Sequence, residues 1–154
     1  REHIFRIMEL TVGEKSQADL RKLADAEKIT EMQDTARRVP VSSPVKEEAV
    51  NIMLQTHAES SQCSSVKDYV RCGASPRGLQ AMISAARVKA MAEGRYNASI
   101  EDIHYMAYPC LRHRVFLNFR AMADGITTDQ IITEILNQGR AAAVGKSGAV
   151  FKRN

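Results

Sequence analysis

The string GASPRG, residues 73–78, gathers the residue types from which anion sites are built. Ser75 can cap a helix, Pro76 suits the first helical position, and Arg77 follows inside the first turn. That turn exposes backbone N–H groups carrying roughly half a positive charge, so a cation there is unfavourable by about 0.3–1 kcal/mol at an exposed site. A negative partner is therefore expected. At 100° per residue, Arg77 points roughly 160° away from Leu79 and the apolar stripe, toward the outside. A capped helix start, a guanidinium arm and a glycine on either side (Gly73 and Gly78) describe a phosphate site. An ion pair from Arg77 to an acid such as Asp68 or Glu101 would satisfy the same physics. Spacing alone leaves both open.

Three other strings could carry chemistry. Arg112, His113 and Arg114 follow a predicted helix, where arginines can pair with exposed carbonyls or nearby acids and His113 is expected as a hydrogen-bonded packing residue. Gly145-Lys146-Ser147 imitates the end of a phosphate loop, but G-x-x-x-x-G-K-[ST] requires a glycine where Arg140 stands, and a strand where the pattern is helical. Cys63, Cys72 and Cys110 have no C-x-x-C or clustered histidine partner, so neither a disulfide framework nor a zinc site is indicated.

The elements that must position Arg77 read as helices. Ile4, Ile7, Met8 and Thr11 mark an opening helix, followed by a polar linker. Asp25 is placed to cap a helix carrying Ile29, Met32, Ala36 and Val39 and closed by Pro40. Ser43-Pro44 starts another, with Val45, Ala49, Ile52 and Met53 inward, ending near Glu59. The stretch from Ser60 to Ala74 has no sustained period and is expected as a loop with one turn near Val66–Val70.

Leu79, Met82, Ile83, Ala86 and Ala90 follow helical spacing from Ser75 to a stop at Gly94. Ser99 and Asp102 form a capping box for a helix bearing Ile100, Ile103, Ala107, Cys110 and Leu111, which Pro109 is expected to bend or interrupt. VFLNF is short and extended or irregular. Thr127 and Gln130 open a last helix with Ile131, Ile132, Ile135 and Leu136 inward and Gly139 at its end. The sum is six helices in an all-α bundle.

Composition agrees. The 154 residues suit one domain, and 44% hydrophobic content with 5% aromatics and no Trp favours aliphatic helix packing over a sheet sandwich. The net charge of +4 sits in residues 140–154: without Arg140, Lys146, Lys152 and Arg153, 18 basic face 18 acidic side chains. A basic tail on a neutral body is a weak nucleic-acid footprint, so no nucleic-acid partner is expected. No run approaches the ~18 apolar residues of a membrane span, and no signal peptide is seen, which points to a cytoplasmic location.

GASPRG, followed by ARVKAMAEGRYNASIEDIHYMAYPCLRHRVFLNF and ADGITTDQIITEIL and preceded by RRVPVS, resembles the C-terminal helical lid of MoxR-family AAA+ ATPases over about residues 25–138. The resemblance implies this organisation: 1–11 as the last helix of the preceding large ATPase subdomain, 12–24 as linker, 25–139 as lid, and 140–154 as a flexible basic tail. It implies that Arg77 is the sensor-2 arginine on the γ-phosphate of ATP, acting in cis or in trans, supported by Ser75, Pro76 and Gly73, with Arg112 and Arg114 as secondary candidates.

ATP and Mg²⁺ are then cofactors of the intact protein, a hexameric ring ATPase with a chaperone-like role. Its partners would be its own upstream ATPase subdomain, neighbouring ring subunits and von Willebrand factor A domain proteins. With no P-loop of its own, this chain is expected neither to bind nucleotide nor to hydrolyse ATP alone. The alternative is an autonomous all-α interaction module in which Arg77 only makes ion pairs.

Overall fold

The computed structural model describes the backbone of residues 1–12 and 22–150, and the side chains of these except 10, 11 and 140–150. Two compact units are present, Arg1–Met32 and Gln33–Asn154. The first holds α1 (Glu2–Val12) and the start of α2 (Ala26–Arg38). Its described side chains are all exposed. Asp25 caps α2 as expected, its Oδ1 accepting from the Lys28 N–H at 2.9 Å. Of the predicted α2 stripe, Ile29 and Met32 are exposed, and only Ala36 and Val39 reach the core of the second unit.

That second unit continues with α3 (Ser43–Gln55), α4 (Ser64–Tyr69), β1 (Val70–Cys72), α5 (Pro76–Ala92), α6 (Ile100–Leu111), β2 (Phe116–Leu117), α7 (Phe119–Ala123) and α8 (Thr128–Val150). It is a helical bundle with a two-stranded antiparallel ribbon, Val70 opposite Leu117 and Cys72 opposite Phe116. Helix α5 lies at the centre, packed chiefly on α6 and α3, while α8 closes over α3 and α6. Met82, Ala86 and Ala90 of α5, Ile103, Ala107 and Leu111 of α6, and Ile131 and Ile132 of α8 are all fully buried in one core cluster. Small alanines facing larger Ile, Leu and Met side chains let the helices approach closely while filling the space between them.

The helix ends follow local chemistry. Gly94 has φ of 70°, the left-handed conformation that stops α5, and the Arg95 N–H returns to the Ala90 carbonyl at 2.8 Å. Both halves of the Ser99–Asp102 capping box are made. So are those of Thr127–Gln130, at 2.7 and 3.3 Å.

Several expectations need correction. The N-cap of α3 is Ser42, with Pro44 within its first two residues, and the helix ends at Gln55. Pro109 does not interrupt α6: it stands exposed in the last turn, and the carbonyl it cannot bond belongs to Tyr105, also exposed, so water can replace the lost donor. Eight helices are described instead of six: α4 is a six-residue helix where only one turn near Val66–Val70 was expected, and α7 is a short turn that no periodicity could reveal. Nor does Gly139 end α8, whose backbone continues to Val150 through an alanine run of high helix propensity. A Cβ at Gly139 would lie 3.3 Å from Glu48 Oε1, so close packing against α3 accounts for that glycine better than a cap. The expected flexibility of 140–154 concerns side chains and terminal residues outside the described ones.

Candidate functional site

Arg77 stands in the first turn of α5, which the sequence required to begin at Pro76. Ser75 holds the N-cap position with φ of −73° and ψ of 168°, yet its side chain makes no capping hydrogen bond. This departs from the expected cap. Among these residues only the Gly78 N–H is taken up, by the Ser75 carbonyl at 2.7 Å. No acidic residue stands in the first turn. The helix start thus keeps its positive end largely uncompensated.

The segment leading into it is fixed by the end of α3. The buried Thr56 hydroxyl accepts from the Ala74 N–H at 2.9 Å and donates to the Met53 carbonyl at 2.6 Å. His57 Nε2 meets the Ala74 carbonyl at 3.0 Å, which requires the tautomer with a proton on that nitrogen. Both backbone groups of Ala74 are therefore satisfied by two consecutive residues. Sequence reasoning missed Thr56 and His57, since a polar pair at a helix end carries no signal of what it will meet 17 or 18 residues later.

The flanking glycines serve packing. A Cβ at Gly73 would lie 2.7 Å from the Thr56 carbonyl oxygen and 2.8 Å from His57 Cγ and Nδ1. At Gly78 it would lie 3.0 Å from Leu111 Cδ2 and 3.4 Å from Arg114 Cδ. Both glycines are buried with ordinary negative φ, so each allows a close approach within the fold and neither needs a ligand to explain it.

Arg77 itself is exposed, and among the described residues it makes no ion pair or hydrogen bond. Neither suggested acid holds it. Asp68 faces Arg120 at 3.5 Å, and Glu101 lies in the first turn of another helix, α6.

The two other candidate arginines differ. Arg112 forms a two-pronged ion pair with Asp129, Nε to Oδ1 at 3.1 Å and Nη2 to Oδ2 at 2.9 Å, tying the end of α6 to the start of α8. Arg114 runs its stem past Gly78, beside the first turn of α5, and is half-buried. Its Nε is inaccessible and without a hydrogen-bond partner among the described residues. The guanidinium enters no ion pair there, which is costly for a partly desolvated cation. Burial pushes the neighbouring Cys110 thiol up, and the Arg114 charge pulls against that shift. His113 is exposed rather than packed. The structure thus brings Arg77 and Arg114 to one helix start and leaves Arg112 in a structural pair.

The far end of α5 is locked by Asp102, buried at the start of α6. Its carboxylate accepts from Arg95 at 2.8 and 2.6 Å, pairs with Lys89 at 3.2 Å and accepts the Ser99 N–H at 2.8 Å. Burial pushes this carboxyl up, but the bonds from Arg95, Ser99 and Lys89 outweigh burial and hold it well below the usual carboxylate range. Among the described residues neither the exposed Arg77 nor the half-buried Arg114, whose Cδ lies beside Gly78, makes an ion pair. The first turn of α5 offers no carboxylate for Mg²⁺, and no cluster of three metal-ligating side chains occurs among the described residues.

Comparison with known proteins bears on this arrangement. The family model described as AAA lid domain matches residues 64–135, from α4 into α8. Chaperone MoxR1 of Mycobacterium tuberculosis is 37% identical over 73 residues, 47% of this chain and 19% of that protein. Protein MoxR of Paracoccus denitrificans is 41% identical over 49 residues, covering 32% and 14% respectively.

The chain carries an AAA lid domain of the MoxR family.

The all-α bundle is the fold of that lid. A further relative, the uncharacterized protein YeaC of Bacillus subtilis, is 31% identical over 106 residues, 69% of this chain and 31% of that protein. Among solved structures, a "putative ATPase" from Cytophaga hutchinsonii superposes with a TM-score of 0.72 at 25% identity, over 89% of this chain and 42% of that one. The match therefore spans less than half the length of each of these proteins. No helix among the described residues is long and apolar enough to cross a membrane.

Proposed function

We propose that this AAA lid covers the nucleotide of a MoxR-type ATPase and that Arg77 contacts its γ-phosphate as a sensor-2 arginine. One observation supports the reading: an exposed arginine with no ion pair or hydrogen bond among the described residues stands where the helix backbone is already positive and its N-cap side chain makes no capping bond. Such a cation is unfavourable until an anion arrives, so the interaction is strongest with the most highly charged group, the terminal phosphate. Ser75, Pro76 and Gly73 set the backbone from which Arg77 projects. Arg114, beside the same turn, is the better second contact, because Arg112 is held by Asp129.

In this reading residues 1–11 end the large ATPase subdomain, 12–24 connect it, 25–139 form the lid and 140–154 a basic extension. ATP and Mg²⁺ bind the intact protein, the metal being held outside this chain. Ring neighbours and von Willebrand factor A domain proteins are its partners in a chaperone-like role in the cytoplasm. What the lid's own residues supply is position and charge: a cation fixed to a rigid helix, placed to sense whether the last phosphate is present.

The test is Arg77→Ala in the full-length ATPase. Removing one preorganised phosphate contact should lower kcat by about 10²-fold or more, as loss of a charge-stabilising donor does elsewhere. Since Arg77 is exposed and makes no hydrogen bond or ion pair among the described residues, the melting temperature should stay within about 1 °C. An unchanged rate would remove the sensor role.

A further inference from the structure

Three consecutive polar side chains at the end of α3 govern the passage to α5. Gln55 ties down its first half: Oε1 accepts the Gln62 N–H at 2.8 Å and Nε2 donates to the Ser60 carbonyl at 3.2 Å. Thr56 and His57 reach the far end of the passage, and both meet Ala74. Thr56 and Ala74 are fully buried, while His57 is half-buried. The Thr56 hydroxyl has one proton, and giving it to the Met53 carbonyl leaves a lone pair aimed at the Ala74 N–H.

The N–H and the carbonyl of Ala74 belong to successive peptide planes, so bonding both constrains φ as well as ψ of that residue. Beyond Ala74 little freedom remains before Arg77. The ring of Pro76 fixes its own φ, and the Gly78 N–H closes on the Ser75 carbonyl at 2.7 Å. The Ser75 side chain adds no capping bond. Arg77 is therefore located by the end of α3, through the constrained backbone of Ala74, Ser75 and Pro76, and not by a cap of its own helix.

We propose that Thr56 and His57 are positioning residues for Arg77: without touching nucleotide, they set the rate of hydrolysis by fixing where that guanidinium stands. The role rests on the sensor reading above, which says what Arg77 does, and adds which residues of another helix that step depends on. A charged group acts on a developing charge through its distance and direction, and a misplacement of about 1 Å can cost about 10²-fold in rate. Loss of either bond leaves one half of the Ala74 backbone without its partner and lets the start of α5 slip by a fraction of that distance. A fall of about tenfold in kcat is expected for each. Affinity for the rest of the nucleotide, which Arg77 does not hold, should be little changed.

The test is steady-state ATP hydrolysis by the full-length protein, measured well below the melting temperature of each variant. Thr56→Val and His57→Leu remove the two bonds, while Thr56→Ser keeps the hydroxyl and His57→Gln keeps an N–H at the reach of Nε2. The first two should lower kcat about tenfold with KM for ATP within about threefold, and the second two should stay within about threefold of wild type. Added to Arg77→Ala, Thr56→Val and His57→Leu should cause no further loss, because the group they position is already gone. Losses that multiply with that of Arg77→Ala, losses that the conservative variants do not restore, or rates unchanged in both removal variants overturn the proposal. Should the buried Thr56→Val fail to fold, the half-buried His57→Leu decides by the same criteria. A wild-type rate in Arg77→Ala defeats the sensor reading and this role with it, whereas a slow Arg77→Ala beside wild-type rates in Thr56→Val and His57→Leu defeats this role only.

Discussion

The placement of Arg77 depends on how tightly the segment before α5 sits on the end of α3, and Gly73→Ala tests that dependence. The added methyl would lie 2.7 Å from a backbone oxygen, that of Thr56, and 2.8 Å from two ring atoms of His57. Neither is the free end of a flexible side chain, so the segment itself must move. Forcing one methyl into a packed site costs about 1–3 kcal/mol. Displacing Ala74 also strains the 2.9 and 3.0 Å bonds to Thr56 and His57, each worth about 1 kcal/mol. Together these give a loss of about 2–5 kcal/mol, a fall of roughly 8–20 °C in Tm for a domain this size. Urea and thermal unfolding of the chain, followed by circular dichroism, measure it directly. A shift below about 0.5 kcal/mol would mean that the clamp is loose and that Arg77 is not held as described.

Two further outcomes follow from the ion pairs. Asp102→Asn should cost about 2–4 kcal/mol at neutral pH, because Arg95 and Lys89 lose the buried carboxylate they share. The folded-state pKa of Asp102 is depressed, so its contribution is present above the unfolded value near ~4 and is lost as pH falls below it. The stability gap between wild type and variant, read from urea midpoints, should therefore narrow toward pH 2. Arg112→Ala breaks only an exposed pair with Asp129 and should change stability by less than about 1 kcal/mol, and hydrolysis by the full-length protein by less than about threefold.

The long helices were legible because their apolar spacing and caps agree: α5, α6 and α8 bury most of the residues that periodicity selected, although Ile100 is exposed and Leu79, Ile83 and Cys110 are only half-buried, and Gly94 stops α5 as its position suggested. The short elements were not. β1 and β2 exist by pairing with each other across the 43 residues between Cys72 and Phe116, and α7 is a single turn capped by Asn118. Such elements are decided by partners distant in sequence. The site was half legible. Arg77 is exposed in the first turn of α5, as its position in the string suggested, but the glycines beside it were misread as room for an anion when they make room for Thr56, His57 and Leu111. What separates Arg114 from Arg112 is a neighbour, Gly78 for one and Asp129 for the other, and neighbours of that kind are invisible in a linear string.

The two hydrogen bonds that hold Ala74 have a mechanical consequence. A helix start hung from one hydrogen bond can swivel, whereas one held through both its amide and its carbonyl turns only with the element that holds it. A pull on Arg77 is thus delivered to the tail of α3, some twenty residues earlier in the chain. Because α3 packs in turn on α5, α6 and α8, a displacement of that segment would be shared among them instead of being absorbed in a loop.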